Sequence, residues 1–386
     1  MDLSFILNNL GEDIGNGSSP VTPPIYQTSN FYFKTVEDFR QAILSERDHL
    51  IYTRGNNPTI DLLRIKMAAL EGAEDALVFA SGMAAISSAI LAMVKTGDHV
   101  ISVQHPYSWT DTLMNSNIFP KFGIEATMVD GTDARNIEQA IKPNTSLIYL
   151  ESPNSWTFDI QNLGEIGVLA KKHGIITIID NSYSTPLYQQ PLKNGIDLVV
   201  HTASKYLGGH SDVVAGICCG SRELIDKIFH NEFCTLGGII SPFNAWLLLR
   251  GLRTLQVRME HISRTAGEVI AFLQDSGIVE KIYYPFLEGN PGMQTAKNQM
   301  TKASGLFSIV LKTRSTAAIE EFCNSLTYWR MAVSWGGFES LIIPSCTFVR
   351  PGLYSNLPDN MIRFSVGLET ADALIGDLEK NLHLLR

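Results

Sequence analysis

The sequence lacks the residues that open most common readings of an enzyme. No Gly-x-Gly-x-x-Gly follows the first strand-like run, and no Gly-Lys-Ser closes a phosphate loop. Neither His-Glu-x-x-His nor Gly-x-Ser-x-Gly occurs, and none of the nine histidines has another four residues away. These absences remove the starting residues for dinucleotide, P-loop, zinc-protease and serine-hydrolase chemistry. Charge is also sparse, at 18% of residues, with 30 basic against 39 acidic and a net charge of −9. Lys and Arg are scattered rather than clustered, so no nucleic-acid partner is expected. No apolar run approaches the ~20 residues that span a bilayer, so no membrane association is expected. Met1-Asp2-Leu3-Ser4-Phe5 lacks the basic-then-apolar start of a secretory signal, and a cytoplasmic location is the expectation. The five cysteines (218, 219, 234, 323 and 346) form an odd set without metal-type spacing. They read as small buried hydrophobes in a reducing compartment, and no metal is expected.

What remains is apolar and long. Hydrophobic residues make up 45% of 386, ample for two or three domains and a large core. Residues 1–57 are rich in Pro, Asn, Gly and Ser, with Pro20, Pro23 and Pro24 interrupting regular structure. They read as an extended arm lying on something else, which makes a partner subunit plausible.

From 58 to 250 the pattern alternates. Helical periodicity at 62–70, 83–94 and 163–173 is interleaved with apolar runs at 76–79, 99–103, 126–129, 146–150, 175–179, 198–200 and 213–218. Runs apolar on both faces fit buried, mostly parallel strands, so an α/β domain is expected, with ligands at the strands' carboxyl ends. Residues 242–272 turn helical. The remainder, 251–386, mixes short strands (306–311, 361–366) with helices (317–326, 370–385) and reads as a smaller α+β domain.

Two residues stand out chemically. Asp180 ends an apolar run, where a carboxylate costs free energy unless it meets a site or a partner. Lys205 follows the next such run in Thr202-Ala203-Ser204-Lys205-Tyr206. Together they suit pyridoxal chemistry, in which a lysine forms a Schiff base and a carboxylate keeps the pyridine nitrogen protonated. Taken singly, an Asp after a strand is as often structural, and a lone Lys is ordinarily solvated. Ala80-Ser81-Gly82-Met83 adds a turn into an alanine-rich helix whose free N–H groups suit a phosphate, although ordinary helix starts look the same.

Further blocks raise these pieces to a family. They include Tyr52-Thr53-Arg54-Gly55-Asn56-Asn57-Pro58, Ser81-Gly82-Met83-Ala84-Ala85, Glu151-Ser152-Pro153, Asp180-Asn181 and Trp246-Leu247-Leu248-Leu249-Arg250-Gly251. Ile362-Arg363-Phe364-Ser365-Val366-Gly367 completes the order. Over nearly its whole length the chain resembles the Cys/Met-metabolism pyridoxal-phosphate enzymes, the trans-sulfuration family. The resemblance implies a fold-type I architecture, a mixed, mostly parallel sheet with a smaller α+β C-terminal domain, and pyridoxal 5'-phosphate as cofactor.

By the same resemblance Lys205 is the cofactor lysine and the carrier of the Cα proton, and Asp180 partners the ring nitrogen. Tyr107 stacks on the ring and helps move protons. Backbone groups of Gly82 and Met83, with the Thr202 and Ser204 hydroxyls, hold the phosphate. Tyr52 and Arg54 complete that site from a neighbouring subunit, implying a homo-oligomer: a dimer with shared active sites, expected to assemble as a tetramer. Arg363 pairs with the substrate carboxylate through its planar fork.

Three departures narrow the choice. Ser155 stands where an asparagine usually meets the cofactor's phenolic oxygen. Ser334-Trp335-Gly336-Gly337 replaces the usual Ser-Leu-Gly-Gly. Trp109 is bulky where relatives carry Gly or Cys, and Thr112 stands where γ-active relatives place an arginine. The serine at 155 and the tryptophan at 335 are similar to bacterial cystathionine β-lyases. The expected reaction is β-elimination on cystathionine or a related cysteine S-conjugate in methionine biosynthesis, a sulfur amino acid being the small-molecule partner. The alternatives are γ-elimination or γ-replacement on a homoserine derivative and, more distantly, a cofactor-binding regulatory scaffold.

Overall fold

The computed structural model describes residues 1–12, 20–348 and 357–385. Among them, seven strands form one sheet: β1 (Asp75–Phe79), β2 (His99–Val103), β3 (Glu125–Val129), β4 (Thr145–Glu151), β5 (Ile176–Asp180), β6 (Leu198–Thr202) and β7 (Gly216–Gly220). Their order is β1-β7-β6-β5-β4-β2-β3. Strands β3, β2, β4, β5 and β6 run parallel, and β7 is antiparallel to both β6 and β1. The sheet is therefore mixed but mostly parallel.

Alternation along each strand divides its residues between two cores. Leu147 and Tyr149 of β4 and Ile178 of β5 pack with Ala85, Ile86 and Ala89 of the Gly82–Met93 helix. Ile148, Leu150 and Ile179 face the other way, onto Leu163, Ile166 and Ala170 of the Leu163–His173 helix. Burying such side chains contributes about 1.5–3 kcal/mol each, which is why these runs are apolar on both faces. The same alternation sends Glu151, Asp180 and Thr202, at the carboxyl ends of three strands, to the face covered by the Gly82–Met93 helix.

A second sheet gathers β8 (Val279–Tyr283), β9 (Leu306–Leu311), β10 (Arg330–Met331), β11 (Leu341–Pro344) and β12 (Met361–Ser365) in the order β10-β11-β12-β9-β8. Helices Pro242–Arg253 and Leu255–Asp275 lie between the two sheets in sequence. The expected division after residue 250 falls inside the first of them. The N-terminal segment differs from the extended arm expected of it, since helices form at Leu3–Asn8 and Val36–Leu44. The physical reason is local: Asp2 and Thr35 each cap a helix start by accepting a backbone N–H three residues on. Residues 13–19 of that arm, and 349–356 and 386 of the C-terminal portion, lie outside the described residues.

The turn that carries Lys205 is held from behind. Gly251 packs so tightly that a Cβ there would stand 2.4 Å from the Gly208 carbonyl oxygen and 2.8 Å from that of Leu207. Buried Arg258 donates from Nη1 to the Tyr206 carbonyl at 2.7 Å and from Nη2 to the Gly251 carbonyl at 2.8 Å. Gly251→Ala must push the helix off this turn, at a cost of about 1–3 kcal/mol. A clear fall in the thermal unfolding midpoint is expected, and an unchanged midpoint would refute the close contact.

Candidate active site

A cavity of about 340 Å³ opens at the carboxyl ends of β4, β5 and β6 and is closed by the second sheet. The structure brings Lys205, Asp180, Tyr107, Thr202, Ser155, Trp109, Ser334, Trp335 and Arg363 together on its wall. They come from elements far apart in sequence. Asp180 and Thr202 end β5 and β6, Arg363 lies on β12, and Tyr107 precedes the Ser108–Asn115 helix. The loop bearing Ser155 is shaped by Asn154, whose Oδ1 accepts the backbone N–H groups of Trp156, Thr157 and Phe158.

Lys205 Nζ donates to Ser334 Oγ and lies 5.3 Å from the centre of the Trp335 ring. Burial lowers its pKa to about 8, the Arg363 charge assists, and Asp180 opposes the shift. Ser334 sits in a left-handed conformation with φ of 81°. Gly336, also at φ 81°, passes so near the lysine turn that a Cβ would stand 2.9 Å from the Tyr206 nitrogen. Arg363 is buried, donates to the carbonyls of Ser155 at 3.1 Å and Ser334 at 3.3 Å, and lies 4.7 Å from the centre of the Trp156 ring.

Asp180 is buried and accepts the Ser182 N–H at 2.9 Å. Burial raises its carboxyl above the usual range, while hydrogen bonds from Ser182 and the His201 and Lys205 charges pull it back. Glu151 lines the same cavity, although sequence reasoning did not single it out as a site residue. It ends an apolar strand as Asp180 does, and that signal was available. Ser182, Tyr183, Ile343 and Phe348 also line the cavity; nothing in their local sequence marks them, because only tertiary packing puts them there.

Other expected residues lie elsewhere. Gly82 and Met83 begin the Gly82–Met93 helix, and Ser81 Oγ accepts the Ala84 N–H at 3.0 Å. The Gly82 and Met83 N–H groups find no acceptor among the described residues, as expected of the first turn of a helix. The Ser204 hydroxyl is committed to Ala215, accepting its N–H at 2.9 Å and donating to its carbonyl at 3.3 Å. Tyr52 and Arg54 stack on each other, 5.6 Å from guanidinium carbon to ring centre. Tyr52 instead lines a shallow hollow with Tyr32, Phe33 and Phe39, and neither residue reaches the Lys205 cavity of its own chain. Thr112 Oγ1 turns back to the Ser108 carbonyl within its helix.

These groups fit a phosphorylated pyridine aldehyde. A Cβ on Gly82 would stand 2.2 Å from Thr202 Oγ1, so only glycine lets this helix start, with its Gly82 and Met83 N–H groups open, close on the end of β6. That juncture offers donors to a phosphate, while the buried Asp180 and the partly neutral Lys205 suit the ring nitrogen and the aldehyde. The family described as "Cys/Met metabolism PLP-dependent enzyme" matches residues 7–383. The chain belongs to this family.

The Cys/Met-metabolism enzyme is 38% identical to the L-methionine gamma-lyase of Fusobacterium nucleatum over 93% of this chain and 92% of that one. It is 35% identical to the cystathionine beta-lyase of Bacillus subtilis over 99% and 96%. A crystal structure of a putative O-acetylhomoserine (thiol)-lyase from Campylobacter jejuni superimposes with a TM-score of 0.93 at 29% identity, covering 99% of this chain and 100% of that one. That neighbour carries N'-pyridoxyl-lysine-5'-monophosphate. The protein is a pyridoxal-phosphate-dependent lyase of Cys/Met metabolism with a fold-type I architecture, and its substrates are small molecules. No helix among the described residues is long and apolar enough to cross a membrane.

The depressed lysine has a direct consequence. In the cofactor-free protein, acylation of Lys205 by an amine-selective reagent should rise about tenfold per pH unit below about 8 and level above it. Arg363→Met removes a neighbouring cation and should move that plateau to higher pH. Peptide mass spectrometry of the labelled lysine reads both, and a rise continuing to pH 10 in the wild type would refute the shift.

Proposed function

We propose that this enzyme performs β-elimination on cystathionine or a related cysteine S-conjugate. With water, L-cystathionine would yield pyruvate, ammonia and homocysteine. The observation that carries this reading is Trp335, whose indole lies against the Lys205 amine, while the Ser155 carbonyl accepts from Arg363. Ser155 and Trp335 are the two departures shared with bacterial cystathionine β-lyases. Trp109 lines the cavity and remains half-exposed, which favours an apolar flank for the leaving group.

In the proposed division of labour, Arg363 grips the substrate α-carboxylate with its planar fork. Gly82 and Met83 N–H groups and Thr202 hold the phosphate, and Asp180 holds the ring nitrogen. Bound pyridoxal 5'-phosphate supplies a covalent link to the substrate amine and a ring that withdraws electrons from Cα. Lys205 Nζ then takes the Cα proton, and burial suits it to this because a base works best with a pKa near the operating pH. Ser334 Oγ and the Trp335 face keep the amine directed into the cavity between proton transfers. The Tyr107 phenol, on the same wall, is assigned the second proton, delivered to the departing thiolate.

A second reading, γ-elimination, is favoured by the identity to L-methionine gamma-lyase, since one lysine can move a proton at Cβ as well as at Cα. We also infer a homo-oligomer with shared sites. Val36, Ile43 and Leu44 of the N-terminal segment are exposed apolar residues, and Tyr52 and Arg54 have no role in their own cavity. A second copy would cover the former and employ the latter.

Incubation with L-cystathionine separates the two reactions. Pyruvate with homocysteine is expected, whereas 2-oxobutyrate with cysteine would overturn β-elimination in favour of the γ route. Lys205→Ala should lower kcat by about a hundredfold or more, scored by keto-acid release.

A further inference from the structure

Two carboxyl groups stand abreast at the end of the large sheet, and only Asp180 has a role in the reading above. Glu151 and Asp180 are register partners on adjacent parallel strands, where strands lie about 4.8 Å apart. Alternation puts both on the face of the Gly82–Met93 helix, and both are buried. Burial, with the Asp180 charge beside it, drives the Glu151 carboxyl well above the usual range. Two carboxyls so placed cost free energy unless each is answered by donors.

The answers to Glu151 are specific. Its Oε2 accepts the Tyr107 N–H at 2.6 Å, and the Ser155 N–H and the Arg363 charge lie near enough to favour its ionised form. Tyr107 is the residue from which the Ser108–Asn115 helix starts, so this bond sets where the Tyr107 ring and the Trp109 indole begin. Ser155 is flanked on both sides, its N–H beside the Glu151 carboxyl and its carbonyl accepting from Arg363 Nη1 at 3.1 Å. One side chain thus bonds the β2-to-helix loop and lies against the β4-to-helix loop at Ser155, the residue whose carbonyl meets the β12 arginine.

We propose that Glu151 is the positioning residue that holds Tyr107 and Ser155 in register with the Asp180 carboxyl, and so orients the cofactor ring between them. The inference rests on the roles proposed above for Tyr107, Ser155 and Asp180. Glu151 touches no reacting atom in this scheme. It acts through the Tyr107 N–H it accepts and the Ser155 N–H beside it.

The test is Glu151→Gln in the loaded enzyme. Glutamine keeps the size but removes the charge and puts an NH2 where one carboxylate oxygen stood, so either the Tyr107 or the Ser155 N–H comes to face a donor. Misplacement of the aromatic and the serine should lower kcat about 10- to 100-fold, with a smaller change in KM. It should also weaken the visible circular dichroism of the bound cofactor and shift the pH at which that signal titrates. Glu151→Asp, with both acceptor oxygens on a shorter stem, should recover more of the signal than glutamine does.

A glutamine variant with the wild-type signal and kcat within about twofold, or one changed only in thermal stability, overturns the proposal. If that variant does not fold, Glu151→Asp decides alone: a reduced signal supports the proposal and a wild-type signal overturns it. Asp180→Asn and Tyr107→Phe separate the two levels of argument. If they leave signal and rate unchanged, the site reading itself fails. If they alter both while Glu151→Gln alters neither, only this inference fails.

Discussion

Mutual compensation of buried charge is the constraint on which the site depends. A lysine, an arginine and two carboxyls converge where buried strands end, in surroundings that penalise every one of them. Each is tolerated because another answers it: Asp180 favours the charged Lys205, and Arg363 favours the ionised Glu151. The balance is unequal, and the inequality is useful. Lys205 is pulled down towards neutrality, while the carboxyls are pushed up but are held by backbone N–H groups. A basic amine and an anchored acid therefore coexist within one cavity, as reversible proton transfer on an amino acid requires.

Holding that cluster demands close backbone approach. Gly82 meets Thr202, Gly336 meets the Lys205 turn and Gly251 meets Gly208, each at a distance a Cβ would forbid. Ser334 accepts a left-handed backbone that costs about 1–3 kcal/mol, with its hydroxyl on the lysine and its carbonyl on Arg363. Arg258 locks the lysine turn from the opposite side by satisfying two buried carbonyls. Rigidity here comes from short contacts between small residues rather than from the apolar cores alone.

Much of this was legible beforehand. The strand at His99–Val103 and the helix at Leu163–His173 appear where the apolar pattern puts them, because burial on both faces leaves a continuous hydrophobic run. Asp180 and Lys205 were legible as polar interruptions of that pattern. Glu151 carried the same mark at the end of β4 and was passed over, since its meaning lies in the strand beside it. The helices at Leu3–Asn8 and Val36–Leu44 were also missed. Short segments with single caps give little periodicity to read.

By itself, then, the sequence determined the α/β architecture, the family and the residues able to do chemistry, because these follow from local pattern and from the order of short motifs. Tertiary structure alone decided that Lys205 meets Ser334 and Trp335, that Ser204 is spent on Ala215, and that Glu151 accepts from Tyr107. Those contacts join residues from about 10 to about 130 positions apart, and their geometry is set by how strands register and loops pack, which no local pattern encodes.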